Sequence, residues 1–398
     1  MTRLGRWLRS PPGLGPALDQ RLAAHLELTS GELESRVLAR LRRRLALAGR
    51  PKKDDPREAL ARLPLLRRDQ LAEAPERWLD PRVPRGLRWR ARSSGSSGEP
   101  LTVWRDPLSS AREEAFLRRH LGIFGWEPDW PELAVRGGAF DGVRPARTRG
   151  GWEVAAARLD DETVRATLRA VSERSIRLLR GYPSALLELL RRAEALGLDP
   201  RGPDLVHVSS ETLTPTARER IAAGFGAPVL EQYGQAERAL LAQSCPEGTL
   251  HLMTDYGWGE VVDGRWVGTP LFGTLLLLRY DTGDEAGPAP RGCSCGWPFP
   301  AIGPITGRQD DVILTSDGRR VGRLGPALRA VPGVRAVQVE QDGPRLLVRF
   351  SPGSPALGRG LEQALGELLA DPGLEIVLRP DEAPVREASG KVRAVRQR

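Results

Sequence analysis

Apolar positions recur along this chain with two periods, and the periods assign its elements. Spacings of four place Val37, Leu41 and Leu45 on one face of "LESRVLARLRRRLALAG", which predicts an amphipathic helix. "LPLLRRDQLAEAPERWL" predicts a shorter helical piece, broken by Pro81 and Pro84. "DDETVRATLRAVSERSIRLLRG" and "SALLELLRRAEALGLD" predict two further helices, the second with Leu186, Leu190 and Ala193 on a common face; "GYPS" between them is a turn into a helix. "DLVHVSS" reads as a short buried strand, "TPTARERIAAGFG" as a helix ending at a glycine, and "PVLEQYG" as a strand that stops at Gly234. Strand and helix alternation of this kind predicts an α/β domain.

From about residue 251 the pattern changes. Short β-like runs split by glycines in "HLMTDYGWGEVVDGRWVGTPLFGTLLLLRYDTGD" predict an antiparallel β subdomain. After "GRQDD" (307–311), "VRAVQVEQDGPRLLVRF" reads as two strands around an Asp-Gly-Pro turn, "GRGLEQALGELLADPG" as a helix and "LEIVLRP" as a strand. The expected division is a large unit, 1–306, with residues 1–80 as a helical lead-in, and a small α+β unit, 307–398. "LRWRAR" and "LTVW" look extended, so the run Ser93, Ser94, Gly95, Ser96, Ser97, Gly98 between them is expected to join two strands.

Composition narrows the class. The 398 residues are 40% hydrophobic and 28% charged, as in a soluble globular protein, and no run of about 18 apolar residues predicts a membrane span. The basic N-terminus lacks a following apolar stretch, so a cytoplasmic protein is expected. The net charge is +9, but the basic residues are interleaved with acids, which argues against a nucleic-acid surface. Nearly all of them are arginine. Lysine occurs only at positions 52, 53 and 391, so Lys391 calls for an explanation.

Several short stretches carry candidate chemistry. A Ser/Gly loop between strands can present backbone N–H groups and hydroxyls to one anion, or it can be a flexible surface loop. Glu237 in "YGQAE" follows a strand and can hold Mg²⁺ through one oxygen, or be solvated. Asp284 in "RYDTGD", after a Thr-Gly turn, can accept hydrogen bonds from paired ribose hydroxyls. Arg308 and Asp310 lie in "GRQDD", the first able to meet phosphate or ribose oxygens and the second a hinge position; Lys391 in "SGKVR" offers a compact charge. Cys245, His251, Cys293 and Cys295 can make a closed tetrahedral zinc shell, or be ordinary buried cysteines and a surface histidine, and an odd cysteine count argues against a disulfide framework. His25 and His120 read as surface residues and His207 as a core residue.

The order "SSGSSGEP", "SSE", "YGQAE", "RYDTGD", "GRQDD", "SGK" resembles the motif set of the adenylate-forming (acyl-CoA synthetase-like) superfamily over about residues 85 to 398. "GYPS", "YDTGD" and the Cys-Ser-Cys-Gly segment look most like its phenylacetate–CoA ligase branch, whose members often show similar cysteines. The resemblance implies a large N-terminal α/β domain with a β subdomain and a small mobile C-terminal domain. It also implies an ATP-dependent ligase that activates a carboxylic acid, aromatic by default, as an acyl-adenylate. Coenzyme A is the implied acceptor, with carrier-protein phosphopantetheine, a polysaccharide or natural-product pathway, a non-catalytic nucleotide-binding homologue and a homodimer left open. By resemblance, Ser93 to Gly98 would wrap the ATP β- and γ-phosphates. Ser210 and Glu211 would lie near the adenine and α-phosphate, Tyr233 and Gly234 would line the adenine and acyl pocket, and Glu237 would bind Mg²⁺. Asp284 would take the ribose, with Arg308 close by, and Lys391 would stabilise the adenylation transition state. Ala236 departs from the usual threonine of that motif, and Arg323 and Leu324 stand where a Phe-Pro pair is more common.

Overall fold

The computed structural model describes residues 14–50, 54–92, 101–136, 140–146, 151–288, 290, 292–308, 313–318, 320–321, 328, 331–334, 336–369, 371–386, 392 and 395–398. A hairpin of β1 (Trp89–Arg92) and β2 (Thr102–Arg105) flanks the Ser/Gly run, as its sequence neighbours predict; Ser93 to Gly98 themselves lie outside the described residues.

An eight-stranded sheet forms the centre. Its strands are β3 (Glu132–Arg136), β4 (Val143–Pro145), β5 (Trp152–Ala155), β6 (Leu178–Gly181), β7 (Leu205–Ser209), β8 (Val229–Gly234), β9 (Leu241–Ser244) and β10 (Leu250–Leu252). The order across the sheet is β10-β9-β8-β7-β6-β3-β5-β4. The run from β5 to β8 is parallel, whereas β4, β9 and β10 pair antiparallel. Both faces are covered, so the strands are apolar on both sides. Leu179, Val206, Val208 and Val229 pack under the helices Asp161–Glu173, Pro183–Ala195 and Pro215–Phe225. Their neighbours Leu178, Leu205 and Leu230 meet Leu117 and Leu121 of the helix Pro107–Ile123 on the other face. Each such leucine, fully buried, contributes about 1.5–3 kcal/mol.

One helix is shorter than its pattern. The apolar spacing runs without a break from Asp160 to Gly181, yet the helix ends at Glu173. Ser175 turns to φ 48°, and Ile176 N–H closes onto the Val171 carbonyl. The following Leu178 and Leu179 serve the two faces of β6 instead of a helical stripe.

The second sheet is antiparallel, as expected, with β11 (Gly257–Val262), β12 (Arg265–Pro270), β13 (Tyr280–Ala286) and β14 (Ile305–Arg308). It begins at Gly257 and not at 251, because residues 250–252 pair with β9 and stay with the central sheet. Beyond it come the short β15 (Ile313–Leu314) and β16 (Arg320–Val321), then β17 (Ala336–Asp342), β18 (Arg345–Ser351), β19 (Glu375–Pro380) and β20 (Val395–Gln397). The β17–β18 hairpin turns at Gly343, φ 55°, and the helix Pro355–Leu369 covers the sheet. The apolar cluster formed there draws only on residues from Ile313 onward.

The lead-in helices Leu14–Ala23 and Ser30–Leu47 pack against Phe116, Met253, Tyr256 and Phe272. Thr29 and Glu32 close a capping box at the start of the second helix. Buried charge fixes this layer. His25 Nδ1 meets Asp255 Oδ2 at 2.8 Å, Arg119 meets the same oxygen at 2.7 Å, and Arg44 meets Asp80 at 2.9 Å. His25 and His120 are therefore not surface residues: each is buried because it has a partner, His120 Nε2 lying 2.8 Å from the Ser244 carbonyl oxygen. Burial pushes His120 down to about 4. His207 is a core residue, with its ring edge-on to His120 at 5.9 Å. No helix among the described residues is long and apolar enough to cross a membrane.

Asp255 carries a stability prediction. Burial works to raise its carboxyl, but Arg119 and His25 more than offset that and hold it below its usual range. A depressed folded-state value gives stability that is complete above the unfolded value of about 4 and lost as pH falls through the folded one. Asp255→Asn should cost about 3 kcal/mol at neutral pH and flatten the acid side of the stability profile, read by urea unfolding between pH 3 and 7.

Candidate active site

Three parallel strands end side by side, and each delivers a motif to the same edge. Gly181 closes β6 where a Cβ would lie 2.8 Å from Leu186 Cδ2 and 3.3 Å from the Val135 carbonyl oxygen, so no side chain fits. Pro183 then opens the next helix, and the amide of Ser184 is among the donors its first turn leaves unpaired. Glu211, two residues past β7, answers it. The Ser184 amide donates to Glu211 Oε2 at 3.0 Å, and the Ser184 hydroxyl donates to Oε1 at 3.0 Å. Ser210 takes φ 73° to turn the chain there, a left-handed conformation that a serine adopts only under constraint. The Val392 amide donates to Glu211 Oε1 at 3.1 Å, and Arg386 reaches the Ser184 hydroxyl at 3.4 Å. The C-terminal segment thus docks on the ends of β6 and β7. Lys391 lies outside the described residues.

The end of β8 joins the second sheet. The Tyr233 hydroxyl donates to Asp284 Oδ2 at 2.7 Å, and burial, then the Asp284 charge, push this phenol well above its usual range. Asp284 sits in β13 directly opposite Arg308 of β14. The backbones of these two predicted residues are therefore paired; the Arg308 side chain lies outside the described part. The Thr-Gly "turn" before Asp284 is in fact a strand: Gly283, φ 72°, lies within β13, beside shifts in its register with both neighbouring strands. Gly234 ends β8, and Glu237 follows it, only 5% exposed.

Glu237 is held rather than solvated. The Tyr280 hydroxyl donates to Oε1 at 2.9 Å and Arg68 donates to the same oxygen at 3.2 Å. Among the described residues Oε2 makes no hydrogen bond, which leaves one carboxylate oxygen for a hard cation such as Mg²⁺. Arg105 donates to the Ala236 carbonyl, and burial, then the Arg238 charge, lower its pKa to about 10. Sequence reasoning missed Arg68 and Arg105, because two arginines among so many carry no signal. Leu66 is what brings Arg68 here: its amide and carbonyl bond Arg279 and Asp281 at the start of β13, each at 2.9 Å. Asp310, Arg323 and Leu324 lie outside the described residues.

The cysteines and His251 form a second cluster. Cys245 sits in the tight turn after β9, His251 on β10, and Cys293 and Cys295 between β13 and β14. Their ligand atoms all lie within 4.8 Å of one another. Cys245 Sγ is 3.6 Å from Cys293 Sγ, and Cys295 Sγ is 3.4 Å from His251 Nε2. His251 Nδ1 lies 2.7 Å from the Phe299 carbonyl oxygen, which fixes the ring so that Nε2 faces the thiols. Burial, then the contact with Cys293, push Cys245 up to about 12. Desolvation works the same way on Cys293, but hydrogen bonds from the Cys295 backbone and from Thr249 and His251 bring that thiol down to about 6. Three sulfurs and an oriented imidazole fit a tetrahedral metal ion with no open position.

No family profile matches the chain. A curated relative, the phenylacetate–coenzyme A ligase of Thermus thermophilus, is 28% identical over 36% of this chain. The matched part spans 38% of that relative's length. Among solved structures, 2-hydroxyisobutyryl-CoA ligase in the postadenylation state with 2-HIB-AMP superposes with a TM-score of 0.67 at 18% identity, covering 93% of this chain and 90% of that one. The same ligase with 2-HIB-AMP and CoA in the thioesterification state gives 0.52 at 18% identity, covering 99% and 91%. The chain thus has the fold of the adenylate-forming CoA ligases, and over the matched segment its sequence is similar to their phenylacetate–CoA ligase branch.

Proposed function

We propose that the protein is an ATP-dependent, AMP-forming carboxylate–coenzyme A ligase of the cytoplasm, acting on an aromatic acid. The observation that carries this reading is the meeting of separate motifs at the ends of β6, β7 and β8: Glu211 with Ser184 and the Val392 amide, Tyr233 with Asp284. Ligands of open α/β sheets bind at such carboxyl ends, next to a reversal of strand order. The bound adenylates and CoA named for the similar solved structures support the same reaction class.

In this reading the acid's carboxylate attacks the α-phosphorus of ATP, the bond to the bridging oxygen breaks, and pyrophosphate leaves. CoA thiolate then attacks the acyl carbon and AMP leaves. Asp284, oriented by Tyr233, accepts the ribose hydroxyls, with Arg308 beside it. Glu237, with a carboxylate oxygen left over, would hold Mg²⁺, and the metal would supply positive charge to neutralise the phosphates. Ser93 to Gly98 enclose the β- and γ-phosphates, Ser210 and Glu211 flank the adenine and α-phosphate, and Gly234 lets the nucleotide approach the end of β8. Lys391 supplies a cation to the charge that builds on the α-phosphate, and losing one such contact costs about 3 kcal/mol, roughly a hundredfold in rate. The chain divides at about 306, and the C-terminal unit turns between the two half-reactions. Its docking through Val392 is the adenylation-side arrangement, in keeping with the better superposition on the postadenylation relative.

Ala236, where a threonine hydroxyl is usual, favours a second reading, a nucleotide-binding homologue without catalysis. Pyrophosphate exchange into ATP across a panel of carboxylic acids separates the two. We expect exchange with an aromatic acid, at least about a hundredfold slower in Lys391→Ala. ATP binding without exchange for any acid would select the second reading. With exchange in hand, CoA and a phosphopantetheine-bearing carrier protein compared as acceptors decide the thiol.

The Cys245, His251, Cys293 and Cys295 cluster is proposed to hold a structural Zn²⁺, pinning the β9–β10 turn to the loop between β13 and β14. Purified protein should contain about one zinc per chain, and Cys245→Ser should lower both zinc content and Tm. Metal-free protein of unchanged Tm would remove the assignment.

A further inference from the structure

Among the described residues, a group of arginines outside the site makes no close ion pair. Arg36, Arg40 and Arg43 fall at i, i+4 and i+7 of the helix Ser30–Leu47 and so share one face. Arg21 comes from the helix Leu14–Ala23, and Arg112 from the helix Pro107–Ile123. The last two helices are tied together by Arg118, which grips Asp19 through contacts of 2.8–3.0 Å. Arg119 reaches the Leu22 carbonyl at 3.3 Å and the Asp255 carboxylate at 2.7 Å, and Arg40 donates to the Asp255 carbonyl at 3.3 Å. Arg112 lies over the Phe272 ring, 5.4 Å from its centre. The three helices thereby bring the guanidiniums to one place. Arg40 feels the charge of Asp255 and, against it, those of Arg21, Arg36 and Arg43; Arg112 feels Arg40, Arg21 and Arg82, with Asp106 opposing them.

The carboxylates in this neighbourhood are already committed. Asp255 serves Arg119 and His25, Asp80 serves Arg44 and Arg82, and Asp106 accepts from the Ser109 amide and the Thr274 hydroxyl. Among the described residues, Arg21, Arg36, Arg40, Arg43 and Arg112 make no ion pair. Arg40 and Arg112 are half-buried; the other three are exposed around them. Burial first, and then the neighbouring guanidiniums, pull both half-buried arginines below the ordinary arginine value, so the cluster is under electrostatic load.

We infer that these three helices form a binding site for a small multivalent phosphate anion, with Arg40 and Arg112 as its floor and Arg21, Arg36 and Arg43 as its rim. Guanidinium forks match phosphoryl oxygens in shape and charge, and an anion there relieves the mutual repulsion. A small anion is favoured over a nucleic-acid duplex because the two most loaded guanidiniums are half-buried, where a duplex backbone would reach only the rim. The inference is independent of the adenylation reading, since none of these residues belongs to the nucleotide motifs.

Calorimetric titration of the full chain with inorganic tripolyphosphate tests it. Wild type should show a binding event that weakens about tenfold or more in Arg112→Gln. The doubly exposed change Arg36→Gln with Arg43→Gln, which touches nothing buried, should weaken it about threefold or more, so a folding defect cannot mimic the result. Wild-type Tm should rise with tripolyphosphate by about 2 °C more than that of Arg112→Gln. Adenosine 3′,5′-bisphosphate that displaces tripolyphosphate from this event identifies a nucleotide source; an event open only to tripolyphosphate identifies a free polyphosphate. Equal tripolyphosphate binding in all three proteins overturns the inference. So does binding of single-stranded RNA that only the Arg36 and Arg43 changes remove, while tripolyphosphate binding stays the same.

Discussion

The parallel pairing of β6, β7 and β8 is the constraint on which the rest of the structure depends. Parallel register brings three strands to an end at one edge, and each turns there within a few residues. The turns are costly: Gly181 admits no side chain, Ser210 is left-handed, and Arg238 after Glu237 also takes a positive φ of 59°. What holds them is reciprocal. The helix N-terminus after β6 leaves amides unpaired, and the carboxylate after β7 is placed to accept one of them. The next strand, β9, reverses direction, which opens the edge on that side and lets β13 bring Asp284 against Tyr233.

Buried carboxylates tie the remaining layers to that edge, and each takes its partner from another part of the chain. Asp255 draws in His25 and Arg119, Asp80 draws in Arg44, and Glu237 draws in Arg68. A carboxylate in such surroundings is tolerable only with its cation present, so docking of the lead-in helices and shaping of the site are one process. The lead-in is therefore structural to the site. Leu66 extends the start of β13, and the next turn of chain presents Arg68 to Glu237.

Much of this was legible in the residues. The buried run of β7, the β8 strand ending at Gly234 and the helix capped by Gly226 all appear where periodicity and glycine place them. Cys245, His251, Cys293 and Cys295, gathered on composition and likeness alone, do converge. The failures share a cause: local pattern does not reveal a distant partner. The segment from Asp160 to Gly181 reads as one helix because strand leucines continue its period by chance. His25 and His120 read as exposed because Asp255 and the Ser244 carbonyl lie far off in sequence. Gly283 reads as a turn because a bulge and a turn ask the same of a glycine.

The arginine-rich composition also takes on meaning only through partners. Counting 60 basic and 51 acidic residues says little, since most exposed pairs contribute little to stability. Arrangement separates the roles. Where a guanidinium meets a buried carboxylate, as at Arg44 and Arg119, it is part of the core's polar framework. Where guanidiniums gather and the nearby carboxylates Asp255 and Asp106 bond other groups, the positive charge among the described residues is only partly offset, and half-burial at Arg40 and Arg112 makes that charge more expensive than at an open surface. A fold that pairs Asp255 and Asp80 so completely on one side of these helices, yet among the described residues gives five neighbouring arginines no close ion pair, presents the chemistry that an anion from outside the chain would complete.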